Sequence, residues 1–285
     1  MSVPEHAVSP RPGVWTRLSR KPGAMMGAVL IVAFVAVAVF APAIAPHSPT
    51  KMDFRAVKQS PSAAHPFGTD DLGRDVLSRV AHGARISLQV GVIAVGIAAV
   101  VGTLMGLVAG LAGGWLDGLI MRTVDVMLAF PGILLALAVV AVLGPGLANM
   151  MIAVGVSAIP VYARTVRGTT MAVMELDYVT GARALGAGHV RVALRYVLPN
   201  VSAPIIVLAT IGFATSILSA AGLSYLGLGA QPPTPEWGSM LSDARAYLRT
   251  GWWMAVFPGL AIMMVVMAFN LLGDGLRDVL DPRTR

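Results

Sequence analysis

Long uncharged runs alternate along this chain with shorter stretches where charge, proline and glycine concentrate. Residues 24–45 form the first apolar run, and their opening 18 residues, 24–41, carry no charge, about the length a helix needs to cross a hydrocarbon layer. Ala43-Ile44-Ala45 resembles a signal-peptide cleavage site, but the run is longer than a signal core and Pro46 would follow the cut, so a retained span is expected. Further apolar runs occupy 88–112, 124–143, 147–161, 201–223 and 257–272. The pattern predicts an all-α integral membrane protein with six spans. It leaves a polar tail at 1–23, a polar segment at 46–87, an apolar core at 88–272 interrupted by a polar loop at 164–200, and a second tail at 273–285.

Several positions within this pattern have physical consequences. Val76, Leu77 and Val80 are spaced as on an amphipathic helix, for which Thr69 or Asp70 is a candidate cap. Gly102, Gly106 and Gly110 recur every four residues and predict a flat strip against which another helix packs closely. Pro131 lies inside the third run and Pro204 is expected in the first turn of the fifth. Asp125, near the end of the third run with Arg122 close by, reads as an interfacial anchor, with a substrate or proton site as the alternative. Asn149, Ser157 and Asn270 are candidate cavity-lining positions, because polar groups within spans need partners inside protein. Trp252 and Trp253 are expected at a membrane interface.

The loop at 164–200 is the longest polar interruption of the core. Its Ala-rich first half, 174–185, favours a short helix. Gly186 and Gly188 break that helix, and a second begins at His189, with Val190, Ala193, Leu194 and Val197 predicted on one face and Arg191 and Arg195 on another. Pro199 is expected to stop the run or kink the next one. The expectation is two short helices joined by a glycine elbow at a membrane surface.

Composition narrows the class. Of 285 residues, 56% are hydrophobic and 12% charged, with a mean hydropathy of +0.76, which excludes an ordinary soluble domain. The net charge of +7 does not indicate nucleic acid, because the basic residues punctuate span ends instead of forming a patch interleaved with aromatics. With the amino terminus inside, 13 of the 21 Lys and Arg residues fall on inner segments, so both termini and the 164–200 loop are expected in the cytoplasm.

Catalytic chemistry finds no support. Lys21, Lys51 and Lys58 precede Pro22, Met52 and Gln59, so none belongs to a phosphate-binding Gly-Lys-Ser/Thr loop. There is no Gly-x-Ser-x-Gly elbow and no cysteine. His47, His65 and His82 are 18 and 17 residues apart, matching no local metal-ligand spacing, and read as scattered surface histidines. No catalytic residue and no metal site is expected.

The polar segments resemble those of one family. Thr180-Gly181-Ala182, three residues, Gly186, nine residues, Tyr196, Val197 and Leu198-Pro199 match the spacing of the coupling loop in permease subunits of ATP-binding-cassette importers; Thr180, Gly181 and Tyr196 replace that family's Glu, Ala and Ile. HPFGTDDLGRDVLSR (residues 65–79) and GLSYLGLGAQPPTPEWGSML (222–241) are similar to the second permease of dipeptide, oligopeptide and nickel importers, with glutathione systems as relatives. The resemblance implies a type I importer permease fold in a bacterial inner membrane. It implies that Thr180, Gly181, Ala182 and Arg183 contact an ATPase subunit. It implies the same for Leu185, Gly186, Leu198 and Pro199. Implied partners are a second homologous permease, two ATPase subunits carrying ATP and Mg, an external substrate-binding protein and lipid, with no cofactor on this chain and no nucleic acid. The implied cargo is dipeptides or oligopeptides. A different class, an ion-gradient-driven secondary transporter or channel, fits poorly: Asp125 is the only acid placed within a span and no internal repeat is evident.

Overall fold

A computed structural model describes residues 13–280; the tail residues Arg11, Arg283 and Arg285 lie outside the described residues. The apolar runs satisfy their backbone groups within helices, as a hydrocarbon environment demands, and no strand occurs among the described residues. The helices are α1 (Val14–Leu18), α2 (Pro22–Ile44), α3 (Val76–Ala112), α4 (Gly114–Leu128), α5 (Gly132–Leu143), α6 (Leu147–Met174), α7 (Asp177–Ala184), α8 (His189–Val192), α9 (Leu198–Tyr225), α10 (Trp237–Ala244) and α11 (Trp253–Leu280). Five crossings are continuous helices, and counting the bent pair α4 and α5 as one brings the number to six.

Span boundaries differ from the hydropathy pattern where polar side chains are satisfied within the protein. The amphipathic segment before residue 88 and the second span are one helix of 37 residues, about 55 Å long. Its cap is Asp75, not Thr69 or Asp70: the Asp75 carboxylate accepts from Ser78 N at 2.8 Å and from Ser78 Oγ at 2.7 Å. The third span is not a single helix. Pro131, which has no N–H to donate, separates α4 from α5, and their axes bend by 96°. At 12 residues α5 is about 18 Å long, short of a full crossing.

The fourth span continues past residue 161 to Met174, so Arg164 and Arg167 belong to α6 and the loop proper begins only after it. Both arginines are paired across to α4. Arg167 forms a two-pronged ion pair with Asp117, at 2.5 and 2.6 Å, and Arg164 pairs with Asp125. Arg164, not Arg122, is therefore the partner of Asp125.

α3 and α6 run side by side in the same direction. Cβ atoms built on Gly102 or Gly106 would lie 2.5 Å from Tyr162 Cβ or 2.6 Å from Ala163 O, and one on Gly110 2.7 Å from Thr170 Cβ. The glycine strip therefore lets the two backbones approach within the chain. Because residues 102–110 of α3 lie beside 159–170 of α6, Asp75 and the α7–α8 loop sit at opposite ends of the bundle.

The Asp75 end is closed by a cap that is polar in sequence and buried in structure. Trp237 of α10 is fully buried and donates its Nε1–H to Val80 O at 3.0 Å. Glu236 caps α10 through Gly238 N and Ser239 N, at 2.9 and 2.8 Å. Arg74 and Asp70, both buried, pair at 2.6 Å, with Arg79 and Asp243 beside them. Trp253 is enclosed by protein, 6% exposed and donating to Thr69 O at 2.9 Å, while Trp252 keeps half its surface open.

Candidate functional site

At the opposite end, α7 and α8 form the expected helix pair and elbow. α7 ends at Ala184 with Leu185 as its cap, and Gly186 follows with φ of +88°, the left-handed region that suits glycine. Gly186 N donates to Arg183 O at 2.9 Å and Ala187 N to Ala182 O at 3.0 Å, the paired bonds of a glycine-terminated helix. The second helix then runs on without a stop. α8 passes through a five-residue π-helical turn, Ala193–Val197, directly into α9, so the helical path extends from His189 to Tyr225. Pro199 neither ends nor interrupts this run, because the widened turn precedes it and makes room for its ring. Pro204 consequently lies in the interior of a helix and not in its first turn.

The elbow has a buried side and an open side. Val179 of α7, Val192 of α8 and Val197 of the π turn are fully or almost fully buried against Val166 and Val173 of α6, with Leu107 and Leu111 of α3 packed behind them. Tyr178 and Tyr196 approach at 6.0 Å between ring centroids, and Asn200 Nδ2 donates to both Tyr178 Oη (3.2 Å) and Tyr196 O (2.6 Å). The predicted apolar face of the second helix is thereby revised. Val192 and Val197 point inward, whereas Val190 and Leu194 are 73% and 62% exposed. Leu185 is 91% exposed, so three large apolar side chains stand uncovered around the elbow. Thr180, Gly181, Arg183 and Gly186 share that open surface with Leu198 and Pro199, while Ala182 is half-buried.

The predicted polar span residues do not converge on one site. Asn149 donates to Leu143 O and Gly144 O, at 2.8 and 3.0 Å, tying off the end of α5. Ser157 donates to Val154 O of its own helix at 2.8 Å. Asn270 lies in an open groove on α11 with Leu218, Met263 and Met267. A second groove, next to the elbow, runs between α6, α9 and α11 and is lined by Thr165, Thr169, Asn200 and Arg277. Sequence reasoning missed it, because these residues come from three separate helices; the four-residue step from Thr165 to Thr169 was the only local signal. His47 and His65 are likewise not scattered: both rings lie against Asp75.

Residues 102–285 match the family described as binding-protein-dependent transport system inner membrane component, and residues 9–61 match the N-terminal TM domain of oligopeptide transport permease C. The chain is 48% identical over 279 residues to the dipeptide transport system permease protein DppC of Alkalihalophilus pseudofirmus, covering 98% of this chain and 92% of that one. It is 51% identical over 283 residues to the glutathione transport system permease protein GsiD of Escherichia coli, covering 99% and 93% respectively. In fold it is similar to an inward-facing structure of the MetNI methionine ABC transporter, with a TM-score of 0.58 at 19% identity, over 70% of this chain and 95% of that one. The uncovered elbow, the helical bundle behind it and these likenesses agree: the chain belongs to the binding-protein-dependent transport system inner membrane components, the non-catalytic, multi-pass permeases of ATP-binding-cassette importers.

Proposed function

We propose that this permease forms half of the translocation pathway for dipeptides or other small peptides, and that the α7–α8 elbow is where ATPase subunits drive it. The observation carrying the second part is the division of the elbow into a buried valine side and an open side bearing Leu185, Val190 and Leu194. An exposed apolar cluster at a helix elbow fits a groove on a soluble partner. The buried valines join that cluster to α6 and α9, so a displacement of the elbow moves two crossings together. α6 in turn carries α3 through the glycine strip and α4 through Arg167 and Asp117. Nucleotide-dependent closure of an ATPase pair would bias the bundle between inward-facing and outward-facing states only through contacts that differ between those states. In this reading the elbow makes them.

The cargo follows the relatives. Their names specify dipeptides and glutathione, itself a small peptide, and the common chemistry is a short chain with amide and carboxylate groups. In this reading both termini and the elbow are cytoplasmic, and the chain works with a second permease, two ATPase subunits and an external binding protein. Since the chain contains no cysteine, a single Ala182→Cys variant carries a unique thiol. A thiol-directed bifunctional crosslinker on membranes of the full complex is expected to join it to an ATPase subunit. Capture of no ATP-hydrolysing neighbour, at normal assembly of the complex, would overturn the docking role. Competition of labelled dipeptide uptake by unlabelled dipeptides and glutathione tests the cargo.

A further inference from the structure

We propose that His47, His65 and Asp75 form a binding site for a divalent transition-metal cation of the zinc class, at the end of the bundle away from the elbow. The residues come from two bends of the long segment between α2 and α3 and from the cap of α3. Their ligand atoms converge: Nδ1 of His65 and Nδ1 of His47 lie 2.9 and 3.7 Å from the same oxygen, Asp75 Oδ1, and one ligand atom from each of the three residues falls within 4.8 Å of the others. Zinc at its usual bond lengths, in tetrahedral geometry, sets neighbouring ligand atoms about 3.3 Å apart. The two separations bracket that value, and the half-exposed His47 ring forms the open edge of the trio.

A hydrogen-bonded structural cluster accounts for only part of this arrangement. His65 at 2.9 Å bonds to Asp75 Oδ1, but His47 at 3.7 Å is beyond hydrogen-bond range of it. Two imidazoles are thus brought ring to ring, with centroids 4.6 Å apart, around one carboxylate oxygen that serves one of them. A cation accepting both Nδ1 lone pairs and the oxygen satisfies all three at once. Two imidazole nitrogens with one carboxylate suit zinc, nickel or copper, whereas magnesium and calcium prefer an all-oxygen shell.

The surroundings are those of a held site. The other oxygen of Asp75 is fixed by Ser78 N and Ser78 Oγ, which aims Oδ1 at the histidines. Ser78 Oγ also accepts from His47 N at 3.2 Å, and His65 N donates to Ser62 Oγ at 3.2 Å, so the backbone of each ligand is tied down. Side-chain exposure rises from 1% at Asp75 through 15% at His65 to 46% at His47. The open side gives the ion an entry path and room for a water or exogenous fourth ligand. Bound there, the ion staples the first polar segment to the first turn of α3, the same turn that carries the buried Arg79.

The test uses the full chain, purified in detergent with a histidine-free tag, stripped with chelator and titrated with zinc by calorimetry. One ion per chain is expected at micromolar zinc, with His47→Ala weakening affinity by about tenfold or more. His47 is exposed, so that variant keeps its fold, and a melting temperature raised by zinc in the parent but not in the variant gives an independent reading. His82→Ala is the control, since its ring bonds Ser78 O at 2.9 Å and His82 is not one of the trio. Equal zinc affinity in parent and His47→Ala, or no binding at micromolar zinc, overturns the site.

Discussion

Gly186 shows how much one residue can decide. Its φ of +88° costs a residue with a Cβ about 1–2 kcal/mol, and proline, locked near −65° and lacking an N–H, can neither adopt it nor bond Arg183 O. Gly186→Pro is therefore expected to abolish most uptake while leaving the chain inserted at normal levels, as read by transport assay beside membrane immunoblot. Normal uptake in that variant would mean the elbow geometry is not used. Gly102, Gly106 and Gly110 illustrate the limit of reading such residues from spacing alone. The four-residue step announces a close helix contact, yet only the fold names Tyr162, Ala163 and Thr170 as what is contacted.

At the scale of elements, the second helix of the elbow separates surface from support. Val192 is buried and Leu194 is not, though they are two residues apart. Leu194→Asp is expected to reduce uptake with little change in melting temperature. Val192→Asp is expected to destabilise the protein by several kcal/mol, because it buries an unpaired charge. Thermal unfolding and uptake measured on both variants check the assignment, and equal loss of stability would refute it.

The α10 cap adds a pH dependence. Burial pushes the Glu236 carboxyl above the ordinary carboxylate value, against the opposing hydrogen bonds from Gly238 and Ser239. Burial does the same to Asp243, opposed by Arg79 and Arg74. A carboxyl with a raised folded-state pKa binds its proton more tightly when folded. Its contribution to stability is therefore full below the ordinary value and declines as pH rises toward the raised one. Glu236→Gln cannot ionise and is expected to flatten the fall in melting temperature of the purified protein as pH rises above the ordinary carboxylate range. An unchanged slope would show that Glu236 ionises without cost to the fold.

For the whole molecule, orientation is the open mechanical quantity that the geometry makes testable. Asp75 and the elbow lie at opposite ends of a helix about 55 Å long. In this cysteine-free chain, Leu185→Cys is expected to react with a membrane-impermeant maleimide only in inside-out vesicles, and Ser60→Cys only in intact cells or spheroplasts. Reaction of both on the same side would exclude the topology on which elbow coupling depends.

The sequence by itself determined the class of molecule, the number of crossings to within the broken third, and the helix–glycine–helix form of the elbow. These follow from local physics: apolar run length against bilayer thickness, and the backbone preferences of glycine. Only the tertiary structure decided where helices end and which polar residues meet. α3 and α6 run on through charged positions because Asp75 caps one and Asp117 neutralises Arg167 on the other. His47, His65 and Asp75 converge across 28 residues for a reason no local window contains, that the segment between them folds back onto the first turn of α3. Hydropathy scores each residue as if it faced solvent or lipid alone, whereas burial of a polar group depends on partners supplied by distant parts of the chain.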